Sequence, residues 1–341
     1  MINKIKLSLY FPIFIVELLF FKIFNIKNSE KTHQILIKFF SISKGKSNHI
    51  INYLLSFSKI KNFSIIENVS QNLNLDQKKI NNDLIHDGFS LIKDVLKEKK
   101  IISIYNKIIL TKGKYISELY NSNEDENVNL ENPKAVKFKH NSNEIIRISE
   151  IQDLLVSNRV LNIVQNYLGY HPIIDYVDCF WTFRSANDQP DKEAAQYWHF
   201  DMDRVKFLKL FIFLKDCEIN NGPHFYVSGS HITKNIPQQI LDLGYTRLDD
   251  KIILNNFKKN KIVCITAKKG SFLFEDTIGF HKGTSVKKNS RLLLMIQYST
   301  NLFGSKSPKL FLDKKFWNKN LLLSYKKYPK LFKNFYIAQN F

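Results

Sequence analysis

Three cysteines in 341 residues, Cys179, Cys217 and Cys264, are too few and too scattered for a disulfide framework, and no CxxC pair is present. That excludes a thiolate zinc module and a redox dithiol, and it predicts reduced thiols in a cytoplasmic protein. Arginine is scarce too, at six of 51 basic residues, despite a formal net charge of +20. A surface built to grip nucleic acid would draw on arginine's planar fork. The abundance of Lys, Asn and Ile fits an AT-rich codon background, so no specific nucleic-acid partner is expected, though anionic small molecules will be attracted. Glycine is sparse at the start: only Gly45 and Gly88 precede Gly113, which leaves few turn signals for a sheet. Long apolar runs are missing as well. Residues 9–24 (LYFPIFIVELLFFKIF) are interrupted by Pro12, Glu17 and Lys22, short of the roughly 20 apolar residues of a span. No small-residue cleavage site follows, which argues against a secretory signal. The segment predicts a helix packed on the body, with weak peripheral membrane contact as the alternative and no stable insertion.

What is present describes a folded protein: 44% hydrophobic and 24% charged residues. Apolar residues recur at helical spacing in 35–42, 51–57 and 85–105, where Ile85, Phe89, Ile92, Val95 and Leu96 form one stripe. Residues 121–129 (NSNEDENVN) are polar, and the chain stays loop-rich to about 145. Beyond, short apolar runs at 174–184, 206–214, 224–228, 262–266, 271–276 and 291–298 are punctuated by Gly, Pro and Asn. That texture predicts a sandwich or barrel, with helical pieces at 150–168 and 236–243. The expected division is a mainly helical extension (1–145), an all-β core (146–304) and a basic, aromatic tail (305–341) that either lies over the sheet as helices or binds a surface.

The chemistry centres on Trp198-His199-Phe200-Asp201. In extended backbone His199 and Asp201 project to one side and can reach one ion. Alone, an HxD is weak, but His281 follows a strand candidate and a turn that holds Gly279. Two histidines and a carboxylate leave coordination positions open, as non-haem iron(II) oxygenases require, although zinc accepts the same ligands. Arg291 opens an apolar strand and shares a face with Leu293, Met295 and Gln297. A buried guanidinium needs a charged partner, and a bound dicarboxylate would pair it bidentately.

These residues stand in a pattern. Trp198-His199-Phe200-Asp201, Leu214-Lys215-Asp216, Asn221-Gly222-Pro223 and Gly229-Ser230-His231 occur in that order, with His281 and Arg291 further on. In this the chain resembles the phytanoyl-CoA dioxygenase family over about residues 150–304. The resemblance implies a double-stranded β-helix (jelly roll, cupin-like), iron(II) held by His199, Asp201 and His281, and 2-oxoglutarate gripped by Arg291, with oxygen as co-substrate. It implies hydroxylation of a C–H bond in a small, anionic or lipid-like metabolite, with release of succinate and carbon dioxide. One departure is Ser228, where the family has Pro before Gly-Ser-His. Asp201 is retained, which argues against the halogenating relatives.

Further candidates follow from position. Lys209 lies in the apolar run 207–214, where an ammonium either reaches the strand edge or meets an anion of the cofactor or substrate. Thr277 flanks His281 on the cofactor side, and Trp181, Arg184 and Phe200 are substrate-side candidates. His224 and His231 are expected in the core or behind the ligands. The alternatives are an inactive β-helix that only binds a ligand, which should have lost one of the four residues, and a zinc hydrolase, which gives Arg291 nothing to hold.

Overall fold

The computed structural model describes residues 2–61, 63, 75–185 and 189–336, with side chains from residue 11. Three helices open the chain: α1 (Ile2–Phe24), α2 (Glu30–Ser43) and α3 (Lys46–Leu55). The Ser29 hydroxyl accepts from the Thr32 N–H and fixes the start of α2. Among the described residues the next helix is α4 (Gln77–His86), which begins where the Asp76 carboxylate accepts from the Lys78 and Lys79 N–H groups.

Among the described residues ten strands build the body: β1 (Phe89–Ile92), β2 (Gly113–Ile116), β3 (Lys137–His140), β4 (Ile173–Thr182), β5 (Phe207–Phe213), β6 (His224–Val227), β7 (Ile262–Ile265), β8 (Phe272–Glu275), β9 (His281–Gly283) and β10 (Arg291–Ser299). Seven form one antiparallel sheet in the order β1-β8-β5-β10-β4-β3-β2, and β7-β6-β9 form a smaller one. This is the expected double-stranded β-helix. Phe211, Phe213, Leu273, Leu293 and Met295 from the large sheet meet Tyr226 and Ile265 from the small sheet in the core between them. The outer face of the large sheet carries Val177, Cys179 and Trp181 of β4 and Leu292, Leu294, Ile296 and Tyr298 of β10. These pack on α5 (Glu98–Ile108), α6 (Ser149–Leu155) and α7 (Asn158–Leu168). β10 is thus buried on both faces, which is why its sequence is almost uninterruptedly apolar.

Two details depart from expectation. The helical stripe over 85–105 breaks: α4 stops at His86, Gly88 turns at φ +85°, β1 pairs with β8, and helix resumes only in α5. A Cβ at Gly88 would stand 2.3 Å from the Tyr226 hydroxyl, so this turn requires glycine on two counts. Residues before 146, though largely helical, also supply β1, β2 and β3 to the large sheet. The tail lies over the fold: α8 (Lys319–Lys327) and Leu331, Phe332 and Phe335 join the outer core. Residues 337–341 of the expected tail lie outside the described residues.

Candidate metal centre

Backbone pairing sets the geometry. His199 and His281 exchange N–H···O=C bonds of 3.0 and 2.9 Å, and the Asp201 N–H donates to the Thr277 carbonyl at 2.7 Å. With the chain pinned and extended, alternate side chains face opposite ways. His199 and Asp201 therefore look across at His281, while Phe200 looks back into the core. One ligand atom from each of the three lies within 4.8 Å of the others. His199 Nε2 is 3.7 Å from Asp201 Oδ1, and His281 Nε2 is 3.5 Å from Asp201 Oδ2.

The tautomers follow from the neighbours. His199 Nδ1 sits 2.8 Å from the Tyr197 carbonyl, and His281 Nδ1 sits 2.9 Å from the Gly279 carbonyl. A carbonyl can only accept, so each Nδ1 carries the proton and each Nε2 turns its lone pair to the centre. Burial pushes both imidazoles below the ordinary histidine range, His199 well below, which keeps those nitrogens unprotonated near neutrality. Burial also raises the Asp201 carboxyl, but the Lys209 ammonium outweighs it and holds the group well below the usual carboxylate range. Two neutral nitrogens and an ionised carboxylate, all aimed at one point, fit a divalent cation.

Arg291 is buried on the inward face of β10. One Nη donates to the Gly222 carbonyl and the other to Thr182 Oγ1 at 3.3 Å, while Nε has no partner among the described residues. No carboxylate among the described residues pairs with it, and burial disfavours its charge. The Asn221-Gly222-Pro223 turn thus has a duty beyond bending: Gly222, at φ +72°, presents its carbonyl to the guanidinium.

The other candidates divide. Lys209 points inward, with its ammonium 2.7 Å from Asp201 and 3.1 Å from Asp203. Its anionic neighbours are the protein's own acids, one of them in the triad. Thr277 contributes its carbonyl to Asp201, and its buried hydroxyl has no partner among the described residues. Trp181 is placed elsewhere: it stacks on Phe183, 5.8 Å between centroids, in the outer core, because the neighbouring Phe180 and Thr182 take the inward positions of β4. Phe200 packs behind the triad against Phe40, Tyr245 and Phe280. Arg184 is exposed and lines a cleft of about 1050 Å³ with Lys134, Lys215 and Ser290, a cleft that no triad residue lines. His231 Nε2 donates to the Ile85 carbonyl, 3.2 Å away, outside the site.

Sequence reasoning missed Glu275. It is fully buried, 2.9 Å from His224 Nε2, and the His224 ring stacks on His281 at 5.5 Å. The alternation of β8 was a usable signal, since it puts Glu275 on the inward face with Leu273, opposite Lys209. Asp203, the second acid on Lys209, carried no signal because nothing in DMDR distinguishes it from a solvated aspartate.

No family model matches the chain, and no curated protein matches it. Among solved structures it is similar to HygX from Streptomyces hygroscopicus with nickel and 2-oxoglutarate bound, at 14% identity and TM-score 0.48, covering 72% of this chain and 93% of that one. It is similar to the apo form of EctD from S. alaskensis at 16% identity and TM-score 0.47, covering 75% and 86%. A third likeness is to the non-heme alpha ketoglutarate dependent epimerase SnoN from nogalamycin biosynthesis, at 13% identity and TM-score 0.46, covering 65% and 82%. Likenesses this distant carry no argument about chemistry, which rests on the site itself.

Proposed function

We propose that the chain is an iron(II)- and 2-oxoglutarate-dependent oxygenase of the phytanoyl-CoA dioxygenase kind. It hydroxylates an unactivated C–H bond of a small anionic or lipid-like metabolite, releasing succinate and carbon dioxide. The observation that carries this reading is the coincidence of two arrangements: His199, Asp201 and His281 converge on one point, and Arg291 is buried with no carboxylate of the described residues paired to it. A zinc hydrolase accounts for the first alone. Iron(II) and 2-oxoglutarate, when bound, supply the oxygen-activating chemistry. The protein's own part is placement. The Tyr197 and Gly279 carbonyls fix the imidazole planes, and Arg291 with Thr182 offers donors to the distal carboxylate of the cofactor. Phe211, Phe213, Leu293 and Met295 make the intervening wall apolar and keep bulk water away.

Anaerobic titration with iron(II) and then 2-oxoglutarate tests it. A visible charge-transfer band should appear only with both present, and succinate release should follow in air with some member of a metabolite panel. Metal content after reconstitution should fall to near zero in H199A and H281A. Normal occupancy in both variants would end the reading.

A further inference from the structure

The outward face of α1 is occupied by no other part of the described chain. Its inward face is spent: Phe14, Leu18 and Phe21 are buried, and Phe14 and Phe21 meet the Phe303 ring at 5.7 and 5.4 Å. At the 3.6-residue helical period, Ile13, Val16, Leu19, Phe20, Ile23 and Phe24 fall together on the opposite arc. All six are exposed, Phe20 by 45%, Ile23 by 66% and Phe24 by 63%. A single exposed apolar side chain is ordinary; a contiguous row of six on one helix is not, and it marks a contact surface.

The charge around this row indicates what covers it. Lys22 lies on the helix flank, and Lys27 and Lys306 line a groove of about 630 Å³ with Phe20 and Ile26. Lys309 is close enough to Lys27 for their charges to oppose each other, and Lys333 lies over the Phe21 ring at 5.4 Å. Against these stand Glu30 and Glu17, and the Glu17 carboxylate is engaged by the Ser29 N–H at 2.7 Å. An apolar strip bordered by lysines complements an anionic bilayer: the strip enters the acyl boundary while the ammonium groups meet headgroup phosphates. Crossing is a different matter, since no helix among the described residues is long and apolar enough to span a membrane, and the inward face of α1 is tied to the body.

We propose that α1 docks the protein on an anionic phospholipid surface, lying in the plane of the interface with Ile13, Val16, Leu19, Phe20, Ile23 and Phe24 immersed. The proposal is independent of the metal centre. It is tested by sedimenting the full-length protein with vesicles of phosphatidylcholine alone and with vesicles containing phosphatidylglycerol. Binding is expected to the anionic vesicles, weaker as salt rises, and far weaker to the neutral ones. F20D/I23D, which changes only exposed side chains, should abolish binding while melting as the wild type does. K22E/K306E/K309E should weaken binding at low salt by about tenfold or more. L119D, at an exposed loop position, should leave it unchanged. Failure to sediment with anionic vesicles, or wild-type binding by F20D/I23D, overturns the proposal. So does a dimer that F20D/I23D converts to monomer without any vesicle binding, since a second copy would then cover the face.

Discussion

Single residues carry the cofactor reading, and Arg291 is the one most exposed to test. Its guanidinium uses a backbone carbonyl and a threonine hydroxyl, and no acid among the described residues pairs with it. Arg291→Lys keeps the charge and loses the fork. The apparent 2-oxoglutarate constant should rise at least about tenfold, a loss of roughly 1.4 kcal/mol, with iron content unchanged. An unaltered constant would detach Arg291 from the cofactor. Lys209 makes the opposite case, because its ammonium is already engaged by Asp201 and Asp203. Lys209→Met leaves two adjacent carboxylates without their shared counter-charge. The metal-free protein should lose about 3 kcal/mol, the low end for breaking a buried pair, since Asp203 is partly exposed. A divalent cation would then restore the charge balance, so the metal-induced rise in melting temperature should be larger in the variant than in the wild type. Equal rises in both would show that Lys209 and the cation do not share Asp201.

At the scale of elements, legibility followed length and local signal. β4, β5 and β10 are long, and β10 opens its apolar run with an arginine, so their positions and the face that Arg291 shares with Leu293 and Met295 were readable from alternation. The triad was readable because a two-residue spacing needs only extended backbone to bring His199 and Asp201 to one face. β1, β2 and β3 were not readable: each has four residues, and each owes its state to a partner far along the chain, as Phe89–Ile92 does to β8. Over so short a span a helical and a strand pattern coincide, and the nonlocal partner decides. Trp181 was misplaced for a related reason, since alternation names two faces without saying which one is the barrel interior. The end of β3 also has a pH consequence. His140 is buried beside Phe138, with Nδ1 2.8 Å from Thr111 Oγ1, and burial pushes its imidazole down to about 4 from 6.5. As acid is added, the unfolded chain takes up this proton from about pH 6.5, the folded one only near pH 4. The stability linked to neutral His140 is therefore complete above pH 6.5 and lost as pH falls toward 4, by roughly 3 kcal/mol in all. His140→Phe should lower stability at neutral pH through the lost Thr111 contact, yet flatten the decline between pH 6.5 and 4. Denaturant titrations across that window measure it, and a slope equal to the wild type's would refute the assignment.

For the molecule as a whole, the triad is supported from behind by a part of the chain whose sequence carries no catalytic motif. Phe14, Leu18, Phe21, Ile35, Leu36, Phe40, Ile51 and Leu55 of α1–α3 share one core with Trp198, Phe200, Met202 and Phe280, the residues that alternate with or adjoin the metal-facing positions. Phe40 is the nearest link, its ring 5.9 Å from that of Phe200. A separate core, across the large sheet, holds Trp181. Truncating either aromatic to alanine leaves a cavity and should cost about 3–5 kcal/mol. The two cavities differ in what can relax into them. Behind Phe200, movement is carried by backbone bonds to His199 and Asp201, whose spacing must hold for one cation to bridge three ligands. Behind Trp181, movement is confined to the outer face of β4 and the helices on it. Phe40→Ala should therefore release iron to a chelator several times faster than wild type, whereas Trp181→Ala, equally destabilised in denaturant, should release it at close to the wild-type rate. The comparison at matched stability separates support of the site from stability in general. Equal release by the two variants would mean that the N-terminal helices hold the fold together without holding the triad in shape.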